Sequence, residues 1–373
     1  MQLLDTSQHV EEWGLQKGIA ITYLVTTSLS ILGSLSIVIF VLLRGKVTRE
    51  QVLPVFHIAA ADCIASCSLF GNTVAYLLVT RSQVSASPNL NVSQNTFNDT
   101  IKSCRLASGA VLCCYSITFL LTLAYALYWY LTIRSKLKVG VVNTSENTPL
   151  TGYNDKVRYR LSRIIYFTAW LLPVLVAIVV AAVYELVVLP RDRDRGVGEL
   201  YRSQIWCIDG CLSLFNNGFQ KCHTTKEPDT WFAVYRLLFH GVLLLVLITN
   251  VILYYLIVRM SKLSIQQEGM LNGFQRERLK NTRWRVYGYQ IVFLICWTPS
   301  LILAVSTTVE WATESSLYLG KKKDLITPVY YFVLYYLQAV TAPLQGFLNA
   351  IVYGWKREVF RRLLTLNSCC NKR

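Results

Sequence analysis

Seven stretches of this chain are long enough, and empty enough of charge, to be buried in lipid as helices. They are residues 18–43, 51–80, 106–133, 164–184, 237–258, 286–309 and 325–355. A hydrocarbon core about 30 Å thick needs about 20 apolar residues in helical form, because each residue rises only about 1.5 Å. Each stretch meets that length. Helix is the form they must take, since backbone polar groups find no water in lipid. Helices buried in soluble cores are usually shorter and bounded by polar caps. The expected fold class is therefore an all-α membrane protein, a seven-transmembrane helix bundle. Its expected parts are a short extracellular tail at 1–17, the membrane domain at 18–355, and a cytoplasmic amphipathic helix and tail at 356–373.

Charge decides orientation. Seven crossings put the two termini on opposite sides. The N-tail and the second, fourth and sixth connections hold 14 Lys and Arg against 14 Asp and Glu. The other three connections and the C-tail hold 23 basic residues against 6 acidic ones. Cytoplasmic segments near helix ends carry the excess of Lys and Arg, so the second set is expected inside. Nearly all of the formal net charge of +16 then lies on one face. That sorting by membrane side is why the basic balance does not indicate a nucleic-acid partner. The first 17 residues carry Asp5, Glu11 and Glu12 rather than a basic start, so no cleavable signal peptide is expected. A multi-pass membrane protein is expected, N-terminus outside and C-terminus in the cytoplasm, with the plasma membrane as its expected place and an internal or ciliary membrane as the alternative.

The second connection carries Asn91-Val92-Ser93 and Asn98-Asp99-Thr100, two glycosylation acceptors on the expected outer side. Asn143-Thr144-Ser145 fits the same pattern on the expected inner side and is read as a chance match. Cys104, Cys207, Cys211 and Cys222 fall in or beside expected outer loops, where oxidation is allowed. Four cysteines permit three pairings. The pairing expected is Cys104 with Cys207 and Cys211 with Cys222, with unpaired surface thiols as the alternative. Cys63, Cys67, Cys113, Cys114 and Cys296 lie inside helices and read as small packing residues.

Ionisable residues inside the spans are few: Asp62, His57 and His240. A lone carboxylate within a span is expensive and usually faces the bundle interior, which makes Asp62 the foremost candidate site residue. Its plainer role is a structural hub for amide and hydroxyl groups. So few ligating groups give no metal site, no cofactor and no intramembrane hydrolase, and the protein is not expected to be an enzyme. Proline within a helix removes a hydrogen bond and bends the chain. Pro299, beside Trp297, makes a candidate hinge; Pro173 and Pro343 could bend their helices likewise, although membrane helices also simply tolerate proline. After the last span, Val359, Phe360, Leu363 and Leu364 alternate with basic residues as in a helix lying on a leaflet. Cys369 and Cys370 follow, well placed for palmitoylation.

Across nearly its whole length the chain resembles a G-protein-coupled receptor. Ala61-Asp62, the Cys104 and Cys207 pair, and Cys296-Trp297-Thr298-Pro299 look like motifs of the rhodopsin class. Asn349-Ala350-Ile351-Val352-Tyr353 is similar to the Asn-Pro-x-x-Tyr of the seventh helix, with Ala350 in place of proline. The third helix ends in 125–134 without that class's acidic-Arg-aromatic triplet. That ending, Trp206-Cys207-Ile208-Asp209, and Gln345-Gly346-Phe347-Leu348-Asn349 look more like the cyclic-AMP-receptor-like group. The resemblance implies a rhodopsin-like topology. It implies a polar core of Asp62 and Asn349, a hinge at Trp297 and Pro299, and an inner switch at Tyr353. It also implies a receptor for an unknown extracellular ligand, with a heterotrimeric G protein as cytoplasmic partner. The missing triplet keeps a non-signalling scaffold open. A transporter fits less well, for want of a polar pathway.

Overall fold

The structure is a computed structural model that describes residues 2–43, 52–85, 94–142, 151–183, 186, 230–267, 273–316 and 329–354. All regular structure among these is helical: α1 Gln2–Leu43, α2 Leu53–Ser85, α3 Gln94–Val142, α4 Thr151–Val183, α5 Thr230–Gln267, α6 Gly273–Ser316, α7 Val329–Thr341 and α8 Gln345–Gly354. Six segments are long and apolar enough to cross a membrane: Lys17–Leu43, Leu53–Leu78, Ala107–Arg134, Arg160–Val183, Leu238–Met260 and Val286–Ser306. They fall within a few residues of the sequence expectation. α1 extends back to Gln2, so residues 2–17, read from sequence as a tail, are continuous with the first helix.

The seventh apolar stretch is two helices rather than one. α7 has 13 residues and α8 has 10, separated by a turn at 342–344 that contains Pro343. Proline has no N–H and its ring crowds the carbonyl four residues earlier, here that of Ala339. Thr26 of α1 takes up that carbonyl, its hydroxyl donating to Ala339 at 3.1 Å. Backbone bonds on either side of the break survive, from Ala342 to Gln338 and from Leu348 to Leu344.

α3 is the hub, packed against α2, α4, α5 and α6. α1 closes one flank against α2, α7 and α8. Paired contacts give the helix directions. Along α1, Gly18 meets Tyr336, Thr26 meets Ala339, and Gly33 meets Phe347, so α1 runs parallel to α7 and α8. Along α6, Cys296 meets Thr341, Trp297 meets Gln345, and Gly288 meets Val352, so α6 runs antiparallel to the same pair. Side chains sort by lipid. Leu172, Leu175, Val176, Ile178 and Val179 of α4 are exposed, as are Leu245, Ile248, Val251 and Ile252 of α5. The interior holds aromatic residues and small hydroxyls instead, among them Tyr23, Phe119, Phe293, Trp297, Thr27, Ser30, Ser34 and Thr118. Small interior residues let membrane helices approach closely. A side chain on Gly33 would meet the Phe347 backbone at 2.7 Å, and one on Gly346 would meet Ser30 Oγ at 2.5 Å.

Candidate functional site

Asp62 lies on the inward face of α2 and is buried. Two carboxamides from α8 serve its carboxylate. Asn349 Nδ2 donates to Oδ2 at 2.7 Å, and Gln345 Nε2 donates to Oδ1 at 2.9 Å. Positions 345 and 349 are four apart, so both project from one face of α8 toward α2. Gly346 between them has no Cβ, which lets α8 settle against Ser30 and Asp62. Ser66, one turn from Asp62, donates to Ser30 Oγ at 2.9 Å and ties in α1.

Gln345 extends the junction to α6. Its Oε1 accepts the indole N–H of Trp297 at 2.5 Å. The amide can point only one way here. An indole only donates and a carboxylate only accepts, so Gln345 must turn its oxygen to Trp297 and its nitrogen to Asp62. Trp297 is fully buried, edge-on to Phe119 with ring centroids 4.4 Å apart and to Tyr115 at 5.1 Å. One unbroken chain thus runs from α3 through Trp297, Gln345 and Asp62 to Asn349.

Burying a carboxylate in a span costs about 2.5–3.5 kcal/mol on insertion scales. Hydrogen bonds to a charged group return about 1.5–3 kcal/mol each. The two carboxamides are therefore enough to hold Asp62 in place, and losing either would leave a costly group behind.

The junction sits between the two proline sites. Pro299 lies inside α6, two residues past Trp297, and Pro343 breaks the chain two residues before Gln345. Thr341, at the end of α7, donates to the carbonyl of Cys296 at 3.0 Å and joins the two proline-bearing regions directly.

Of the residues singled out from sequence, the structure brings together Asp62, Asn349 and Trp297, and puts Pro299 beside them. Tyr353 is buried one turn beyond Asn349, edge-on to Phe40 of α1 with ring centroids 6.5 Å apart. His57 accepts the Trp170 indole N–H at 3.3 Å and stacks on Tyr166 at 5.3 Å, joining α2 to α4. Cys63, Cys67, Cys113, Cys114 and Cys296 are free thiols within helices. Asn98 and Cys104 fall on the backbone of α3, and their side chains lie outside the described residues. Asn91, Cys207, Cys211, Cys222, Cys369 and Cys370 also lie outside them, as does the segment after residue 354. Among the described residues no group of three His, Cys, Asp or Glu is arranged to hold a metal. Gln345 is the residue whose part sequence reasoning missed. It entered the sequence reading only as part of the 345–349 stretch, and its four-residue spacing from Asn349 was the signal for its place beside Asp62.

Long apolar helices around a buried polar junction, with lipid-type side chains facing outward, define a multi-pass α-helical membrane protein. The sequence matches the family model of transmembrane protein 116 over residues 17–372. The chain belongs to that family.

Proposed function

We propose that this protein is a seven-crossing signalling receptor of the plasma membrane, with its N-terminus outside and its C-terminus in the cytoplasm. An extracellular ligand favours one of two bundle arrangements, and the basic cytoplasmic face engages a heterotrimeric G protein. The ligand can bias the two arrangements only by its difference in affinity for them.

The observation that carries this reading is the Asp62–Gln345–Trp297 chain. It couples α6, which carries Pro299, to the proline-broken α7 and α8 through one buried carboxylate. A bundle built only to be rigid has no need to join a proline-bearing helix to a broken one at a polar hub. Two further features support it. Basic residues gather on one set of connections, 23 against 6 acidic residues. The pair α7 and α8 runs parallel to α1 alongside its span, so the two short helices together can make the seventh crossing.

On this reading the bridges Cys104–Cys207 and Cys211–Cys222 tie the long outer loop. Asn91 and Asn98 carry glycans, and Cys369 and Cys370 carry palmitoyl chains beside an interfacial helix at 356–364. The protein is not an enzyme and needs no metal or cofactor. Tyr353 serves as the inner switch.

The test is G-protein activation across the four main subtypes in cells overexpressing the wild-type chain, Asp62→Asn or Trp297→Phe. The reading expects constitutive output for at least one subtype, altered at least fivefold by either change at equal surface expression. Output indistinguishable from empty cells for every subtype would refute it. One sequence feature favours a second reading, a membrane scaffold acting through partners. The end of α3 has Tyr128, Trp129 and Tyr130 and no acidic-Arg-aromatic triplet, with Tyr128 and Trp129 buried.

A further inference from the structure

Two buried carboxamides stand apart from the Asp62 junction. Asn250 of α5 and Gln290 of α6 are each about 1% exposed. Among the described residues, neither the oxygen nor the nitrogen of either side chain has a hydrogen-bond partner. Asn250 shares its buried face with Val246, Leu247, Leu253 and Ile257, and Gln290 lies among Val286, Tyr289 and Phe293 of its own helix. The Tyr289 hydroxyl makes no hydrogen bond to Gln290. Buried amides without partners are rare, and in a lipid-embedded bundle no bulk water can serve them.

Register brings the two to one level. Tyr254 and Tyr287 meet edge-on with ring centroids 5.2 Å apart. α5 and α6 are antiparallel: Phe119 of α3 meets both Phe239 of α5 and Phe293 of α6, and further along α5 Tyr254 meets Tyr287, which lies earlier in α6. One turn from Tyr254 toward the start of α5 reaches Asn250. One turn from Tyr287 toward the end of α6 reaches Gln290. A turn moves both steps about 5 Å in the same direction, so the carboxamides stay level. Both are more buried than the tyrosine pair, hence turned from it into the bundle. Pro299 lies nine residues beyond Gln290, so the part of α6 carrying Gln290 can turn about it.

We infer that Asn250 and Gln290 are the two halves of an interhelical latch. In a second arrangement of the bundle, α6 lies closer to α5 and the amides bond each other, each donating to the other's oxygen. Four unmet groups become two satisfied pairs, and that difference biases the bundle toward the closer arrangement. The latch concerns helix geometry, independent of whether a G protein is the partner.

The experiment is a distance measurement by double electron–electron resonance on the full chain in lipid nanodiscs. Spin labels are attached to ketone-bearing residues introduced at Leu161 of α4 and Trp284 of α6, which leaves the native cysteines alone. The wild-type chain should give two distance populations. Asn250→Leu and Gln290→Leu should each lose one of them, by at least fivefold. The exchange Asn250→Gln with Gln290→Asn should restore it. Should a leucine variant aggregate, the corresponding alanine variant takes its place. A single population in the wild-type chain overturns the latch without any variant. So does retention of both populations in Asn250→Leu and Gln290→Leu.

Discussion

The indole nitrogen of Trp297 and the carboxamide oxygen of Gln345 lie 2.5 Å apart across the α6–α8 interface. Replacing Trp297 by Phe keeps an aromatic ring against Tyr115 and Phe119 but deletes the donor. Gln345 Oε1 is then buried without a partner, at a cost of about 1–3 kcal/mol. Thermal melting in nanodiscs should fall by several degrees. Gln345→Leu should fall further, because it strands both the indole N–H and Asp62 Oδ1. A Trp297→Phe protein that melts at or above the wild-type temperature would show that this bond carries no weight.

Glycines give a second prediction, graded by position. A Cβ at 346 would meet Ser30 Oγ at 2.5 Å and Asp62 Cβ at 3.2 Å; one at 33 would meet the Phe347 backbone at 2.7 Å. Nothing lies within 4 Å of a Cβ at Gly71, Gly109 or Gly241. Gly33→Ala and Gly346→Ala should each destabilise by about 1–3 kcal/mol through overpacking. Gly71→Ala should be neutral, or stabilising by up to about 1 kcal/mol from helix propensity. Parallel melting curves for the three variants check the order, and equal effects at 33, 71 and 346 would contradict the close helix packing.

Thr26 and Pro343 should behave as a coupled pair. Thr26 serves the Ala339 carbonyl that Pro343 leaves without its helical donor. Thr26→Val should cost about 0.6 kcal/mol, the average for an interhelical bond in a membrane. In a Pro343→Ala background the alanine N–H can take that carbonyl, so the same change should cost clearly less. A double-mutant cycle on melting free energies reads the difference. Strict additivity would mean that Thr26 plays no part in supporting the break.

The spans were legible in the sequence because lipid imposes a compositional test that a single chain passes or fails. Boundaries at 18–43 and 106–133 lie within a residue of the structural segments. Asp62 was legible for the same reason, as one carboxylate within an apolar stretch. The split of the last stretch was half legible. Pro343 marked a bend, but the turn at 342–344 also depends on Thr26 supplying a donor from 313 residues away in sequence. Gln345, Asn250 and Gln290 escaped because neutral amides do not register in a count of charges. What each does depends on the helix facing it. Gln345 meets Trp297 and Asp62, whereas the other two have no hydrogen-bond partner among the described residues.

The central claim is that lipid holds seven crossings with the basic connections on the cytoplasmic side. Epitope tags fused to the two ends of the chain, stained in intact and then in permeabilised cells, test it most directly. The account predicts that the N-terminal tag is labelled in intact cells and the C-terminal tag only after permeabilisation. Labelling of both tags from the same side would mean an even number of crossings, and would contradict the topology together with the receptor reading built on it.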